Sequence, residues 1–243
     1  MWSIYHKEIN TFFSSLIGYL VIAAFLVLLG LFMFVFPETS LLEYGFATMD
    51  QLFSLAPSIF VLAIPAITMR SFAEEHQSGA IELLATRPIT DLEIIMGKYL
   101  ANLTLVVIAL LPTLLYYYTV YQLGNPRGNL DTGGIMGSYI GLLFLAAAFV
   151  AIGVFVSSLT NNQIIAFMLG ALLCFWMYWG FQYVSLLPVF VGRLDDLVQQ
   201  MGMLSHYNSL SRGVIDSRDA IYFLSLTTLF LFFTLLSLER RKW

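Results

Sequence analysis

Arg70 to Lys98 read R-S-F-A-E-E-H-Q-S-G-A-I-E-L-L-A-T-R-P-I-T-D-L-E-I-I-M-G-K, a charged block set between two long apolar runs. Paired acids, a glycine break, a short Leu-rich segment, a proline turn and a new helix start follow in order. The helix entering the block can continue past Arg70 to about His76, and Ser78-Gly79 stops it. Ile81 to Ala85 has room for one or two turns, with Ile81, Leu84 and Ala85 on one side and Glu82 off it. Thr86-Arg87-Pro88 then turns the chain. Thr90 and Glu93 have capping-box spacing, so the next helix is predicted to start at Asp91, whose charge also favours the helix dipole.

What surrounds the block is almost free of charge. The 243 residues are 59% hydrophobic and 11% charged, with a mean hydropathy of +0.84; a soluble domain carries about 25% charged residues. No Asp, Glu, Lys or Arg occurs in 9–37, 51–69, 99–126, 132–192 or 220–238. A bilayer core of roughly 30 Å takes about 20 apolar residues in a helix. Four of these gaps hold one span each and the longest holds two. The expected fold is therefore all-α, with six transmembrane helices at 16–36, 51–70, 98–121, 134–158, 163–185 and 220–238 in a single domain covering 1–243. A β-barrel is excluded, because its strands alternate apolar and polar residues.

Lys7, Arg70, Arg87, Lys98, Arg240, Arg241 and Lys242 fall on one side of such a fold; Arg127, Arg193, Arg212 and Arg218 fall on the other. The excess places both termini in the cytoplasm under the positive-inside rule. The first span is too long for a signal-peptide core and is followed by Pro37-Glu38 rather than a small-residue cleavage site. Residues 1–15 put Trp2, Tyr5, Ile9, Phe12 and Phe13 at helical spacing, the pattern of an interfacial helix lying on lipid. Pro57 and Pro65 kink the second span, either statically or to line a path. Gly133, Gly137 and Gly141 share a face of the fourth span, where small residues let helices approach, between two copies or within one bundle. In the outer segment 186–219, Phe190, Leu194, Leu197, Val198 and Met201 form an amphipathic stripe expected to lie on or dip into the membrane.

Catalytic chemistry is poorly supplied. The spans lack the ionisable groups of a proton relay, and His6, His76 and His206 are scattered. Glu74-Glu75-His76 are adjacent on a helix and point apart, so no metal is expected. Cys174 is alone, with no disulfide to make. Gly97-Lys98 fails the phosphate-loop pattern, since no glycine stands five residues earlier and Tyr99 replaces Ser/Thr. This chain is not expected to be an enzyme or to hold a cofactor. Lys98 is expected to snorkel at the membrane surface. Recognition by the block remains: Glu74, Glu75 and Glu82 offer charge, and Ile81, Leu83 and Leu84 an apolar knob. The plain alternative is a solvated connector.

Arg70, Phe72, Glu75, Gly79, Glu82, Leu83, Leu84 and Pro88, with Gly97-Lys98, resemble the pattern R-x-F-x-x-E-x-x-x-G-T-x-E-L-L-x-x-x-P before the third helix of ABC-2 type exporter permeases. Ala80 stands where Thr is common. Residues 7–21, K-E-I-N-T-F-F-S-S-L-I-G-Y-L-V, look like that family's interfacial elbow. Leu123-Gly124-Asn125-Pro126 and the run S-R-G-V-I-D-S-R-D-A-I-Y-F at 211–223 are similar to its gliding-motility-associated (GldF-like) branch. The resemblance implies a permease subunit in a bacterial inner membrane. Its coupling segment, 71–97, would seat a coupling helix in a separate cytoplasmic ATPase that binds the ATP. It would pair with a second permease subunit, identical or homologous, with lipid and no nucleic acid as further surroundings. A non-transporting scaffold for a motility or secretion machine is the competing reading. The apolar spans hint at hydrophobic or polymeric cargo.

Overall fold

The computed structural model describes residues 1–37, 39–44, 47–79, 90–188, 192, 194–213 and 216–240. Among them there is no strand. The helices are α1 (Trp2–Ser14), α2 (Leu16–Phe34), α3 (Leu41–Tyr44), α4 (Asp50–Thr68), α5 (Arg70–Ser78), α6 (Asp91–Leu110), α7 (Thr113–Leu123) and α8 (Thr132–Leu159). They continue with α9 (Gln163–Phe175), a π-helical turn Trp176–Gly180, α10 (Phe181–Ser185), α11 (Asp195–Gln200), α12 (Met203–Leu210) and α13 (Ser217–Arg240). Six stretches are long and apolar enough to cross a membrane: Leu16–Phe34, Asp50–Ser78, Asp91–Leu123, Thr132–Leu159, Gln163–Ser185 and Ser217–Arg240.

Helix α8 is the axle of the bundle. It packs against α4, α5, α6, α9, α12 and α13, and from Leu145 to Val156 nearly every side chain is buried. Such a helix, apolar all round, is stable only inside. By contrast α2 sits at the edge, anchored by Phe25 stacked 5.3 Å from Phe60 and by Leu29 and Met33. Leu16, Leu20 and Val27 of α2 remain exposed.

The helix boundaries follow local chemistry. Thr90 Oγ1 accepts the amide of Glu93, whose carboxylate accepts the Thr90 amide, so α6 starts at the expected capping box. Gly79 ends α5 with φ of 71°, a left-handed conformation that a Cβ would penalise. Between α4 and α5 the ladder breaks at Met69, and Ser157 of α8 repairs it. Ser157 Oγ accepts from the amides of Phe72 (3.0 Å) and Ala73 (3.1 Å) and donates to the Met69 carbonyl (2.9 Å).

Pro57 has no amide hydrogen for the carbonyl of Phe53, one helical turn earlier. Tyr207 of α12 donates its hydroxyl to that carbonyl at 2.6 Å. This is what draws α12 inward: Met203, Tyr207 and Leu210, at helical spacing, are all buried. The amphipathic stripe of the outer segment stays on the surface of the bundle. No α11 residue is buried, and Leu194, Leu197 and Met201 are about half exposed or more; Phe190 lies outside the described residues. Burial goes instead to α12, because it can satisfy the open carbonyl. His206 ties these segments together, one ring nitrogen 2.7 Å from Asp219 of α13 and the other 2.8 Å from the Gln200 carbonyl.

The glycine face of α8 makes contacts within the chain. A Cβ on Gly137 would collide with the backbone carbonyl of Gly213, and one on Gly141 would lie 2.7 Å from Leu210 Cβ. A Cβ on Gly213 would in turn collide with the Gly134 backbone, whereas Gly133 is exposed and a Cβ there would meet only Asp131. The close approach is therefore made by Gly134, Gly137 and Gly141, and the expected role of Gly133 passes to its neighbour.

Two outcomes are expected in equilibrium unfolding in mild detergent. Tyr207→Phe, which reopens the Phe53 carbonyl, costs about 1–2 kcal/mol. Gly137→Ala destabilises by about 1–3 kcal/mol through overpacking, while Gly133→Ala is silent; equal effects would disprove the assigned contact face.

Candidate functional site

Where α1, α5 and α6 converge, the few charged residues of that end form one buried cluster. Glycine makes the approach possible: Gly97 of α6 has the Met1 carbonyl and Ile4 about 3.1–3.2 Å from where its Cβ would be. With α1 seated there, Tyr5 donates to Thr104 Oγ1 at 3.1 Å. Lys7 and Glu8 then reach the other two helices.

Lys98 is the centre. Its side chain is 1% exposed, so it does not snorkel as its position in the sequence suggests. An ammonium has three hydrogens to place. Nζ lies 2.7 Å from Glu8 Oε1 and 2.9 Å from Glu75 Oε2, and it also donates to the Ser71 carbonyl. The Phe72 ring centroid is 5.0 Å away. Asn102 completes the wall, its amide donating to Ser71 Oγ and to the Lys98 carbonyl, each at 2.8 Å. A lysine this buried is tolerated because Glu8 and the Ser71 carbonyl accept its hydrogen bonds and the Glu75 carboxylate adds a second ion pair.

Glu75 bridges the cluster, with Lys7 Nζ 2.7 Å from its Oε1. The charged surface contact expected of Glu75 is therefore absent: its side chain is 9% exposed and faces both lysines. Glu74 does lie on the outer surface. Partial burial by itself would lower the Lys7 pKa, but the hydrogen bond and charge of Glu75 outweigh it and raise Lys7 above its ordinary value. Arg70 adds a further tie, Nη1 donating to Ser15 Oγ at 2.9 Å at the joint between α1 and α2. Together these bonds fix α1, α5 and the start of α6 as one unit.

Of the residues expected to meet a partner, Gly79 marks the end of that unit. Ile81, Glu82, Leu83, Leu84 and Pro88 lie outside the described residues. The described chain thus leaves a pinned helix at Gly79 and re-enters one at Asp91.

A second polar feature lies toward the start of α4. A pocket of about 450 Å³ is lined by Asp50, Ser54 and Ser58 of α4, Tyr178 and Trp179 of the π turn, and Asn208 of α12. The serines recur every four residues, one face of a helix. Phe53 and Leu204 add apolar surface to the same lining. The period of these polar residues in α4 was visible in the sequence; their partners on α12 were not.

Lys98→Met removes the buried cation shared by half-buried Glu8 and buried Glu75, a loss of about 3–5 kcal/mol. Pairing it with Glu75→Gln recovers part of that loss. Unfolding in detergent, together with protease sensitivity of α1, reads both; a silent Lys98→Met would refute the central place given to this lysine.

The chain was compared with families and curated proteins. No curated protein matches it. The family model for the ABC-2 family transporter protein matches residues 2–243. Its span includes α1, the charged cluster, all six apolar stretches and α12. The match agrees with an all-helical membrane bundle, and the chain belongs to the ABC-2 transporter family, as a multi-pass membrane permease component rather than the ATPase.

Proposed function

We propose that this chain is the membrane-spanning permease subunit of an exporter, driven through residues 79–89 by a separate cytoplasmic ATPase that binds and hydrolyses the ATP. The observation that carries the reading is the pinned unit of α1, α5 and α6. A force applied to a segment between two fixed helix ends is transmitted into both, and here those ends continue into membrane-crossing helices. A solvated connector has no use for a four-charge clamp, built around the buried pair Lys98 and Glu75, on either side of it.

In this reading Glu74, Ile81, Glu82, Leu83 and Leu84 make the contact with the ATPase, and Pro88 sets the return of the chain. Glu75 acts one step back, holding α5 against α1 and α6. Gly79 ends the lever. The end of α13 lies on the same side as the clamp, since Ser237 donates to the carbonyl of Ser158, next to Ser157. Lys7, Arg70, Lys98 and Arg240 therefore share that side, which supports cytoplasmic termini in a bacterial inner membrane. Two permease subunits, identical or homologous, complete the assembly. The polar pocket beside the π turn is a candidate vestibule for cargo at the far end. An association with gliding motility rests on the sequence at 123–126 and 211–223. In the latter, Gly213 takes φ of 83° against α8.

Affinity purification from native membranes should bring down an ABC ATPase and a second permease. Glu82→Lys and Leu84→Asp should each lower ATPase recovery, and permease-stimulated hydrolysis in nanodiscs, at least about tenfold while leaving insertion intact. Undiminished recovery and hydrolysis in both variants would overturn the coupling role. An assembly that recovers no ATPase would favour the scaffold.

A further inference from the structure

Beside the Lys98 cluster is a pocket of about 200 Å³ between α1, α5 and α6. Its lining has three kinds of surface. Lys7, Arg70 and Lys98 are cationic, Glu8, Glu74 and Glu75 are anionic, and Phe12, Ile67 and Leu105 form an apolar wall. The charges balance in number, but their bonding does not. Lys98, Glu8, Glu75 and Lys7 are consumed by one another. Arg70 and Glu74 are left over.

Arg70 spends Nη1 on Ser15. Its Nε is buried and has no hydrogen-bond acceptor among the described residues. An uncommitted Nε–H is one half of the side-on fork by which arginine grips a phosphate or carboxylate. A buried donor without an acceptor is costly, so the site is built for an oxyanion there. Glu74 lines the same pocket and forms no ion pair among the described residues. A simple anion would answer Arg70 and leave Glu74 beside added negative charge. A ligand carrying a phosphodiester and an N–H-bearing cation answers both.

The position of the site selects the source of that ligand. Ser15 is the joint where α1 turns into the first crossing helix, and Arg70 follows directly on the end of α4. Arg70 and Ser15 thus meet at the level where two apolar helices leave the membrane. Phe12, Ile67 and Leu105 supply an apolar wall at that level, suited to the glycerol and first methylenes of a lipid. We infer that this pocket is a headgroup site for a zwitterionic phospholipid with a primary ammonium, of the phosphatidylethanolamine type. Phosphate sits on the Arg70 Nε edge, and the ammonium sits on Glu74. A choline headgroup has no N–H to give Glu74, and a glycerol headgroup has no charge to give it. Glu74 is shared with the ATPase contact, so the test uses the chain without an ATPase, and coupling and lipid binding fail separately.

The test uses the full chain purified in detergent and stripped of lipid, titrated with phosphatidylethanolamine, phosphatidylcholine, phosphatidylglycerol and soluble glycerophosphoethanolamine. Native mass spectrometry reads binding and thermal unfolding reads stabilisation. Phosphatidylethanolamine is expected to bind about tenfold tighter than the other two lipids, with the soluble compound weaker still. Glu74→Gln, at an exposed position, should erase the preference over phosphatidylcholine while leaving the unliganded unfolding temperature unchanged. Arg70→Gln should weaken all three lipids. Equal binding of the three lipids, preference for phosphatidylglycerol, or selectivity that survives Glu74→Gln would each overturn the assignment. Soluble glycerophosphoethanolamine binding as tightly as the lipid would overturn the membrane source.

Discussion

Three hydrogens on one ammonium hold this architecture at its charged end. Lys98 is buried in an environment that would reject it without compensation, and its ammonium is answered from three places: hydrogen bonds to Glu8 on α1 and to the Ser71 carbonyl near the root of α5, and an ion pair with Glu75 on α5. Moving any of the three helices away leaves at least one charge buried and unmatched. That penalty is larger than the worth of a surface ion pair, which is about 0–1 kcal/mol. An interfacial helix that might otherwise float on lipid is thereby made part of the bundle.

Neutral polar groups do comparable work deeper in the bundle. Ser157 mends the break between α4 and α5, and the Tyr207 hydroxyl answers the carbonyl that Pro57 leaves open. In a membrane, water is not available to do this, so each irregularity in a helix needs a named partner from the protein. The Pro57 kink and the break between α4 and α5 are therefore fixed features, each locked by a helix from elsewhere in the chain. Rigidity is concentrated around α8, and the charged cluster extends it out to Gly79.

Much of this was legible in the residues. Uncharged runs gave the six crossing helices, since length and hydropathy decide insertion. Thr90 and Glu93 gave the start of α6, and Gly79 the end of α5, because these depend on neighbours in sequence. Lys98 misled. A lysine at the edge of an apolar run usually reaches for water, and nothing local reveals that Glu8 and Glu75 will fold over it. Glu75 misled for the same reason, read as a surface contact when it is an internal one. The Leu194–Met201 stripe was legible by periodicity, but the burial of α12 beside it depends on a carbonyl some 150 residues away. Contacts set by chain topology leave only compositional traces, such as the opposite charges at Lys7, Glu8, Glu75 and Lys98 that flank the apolar runs.

The bond between Tyr207 and Phe53 joins residues 154 positions apart. During synthesis α4 enters the bilayer long before α12 exists. For that interval the Phe53 carbonyl faces lipid, a surrogate donor or a water drawn in by the kink. The second crossing helix is thus inserted in a provisional form, and its final geometry is a late event, complete only when the last third of the polypeptide has arrived.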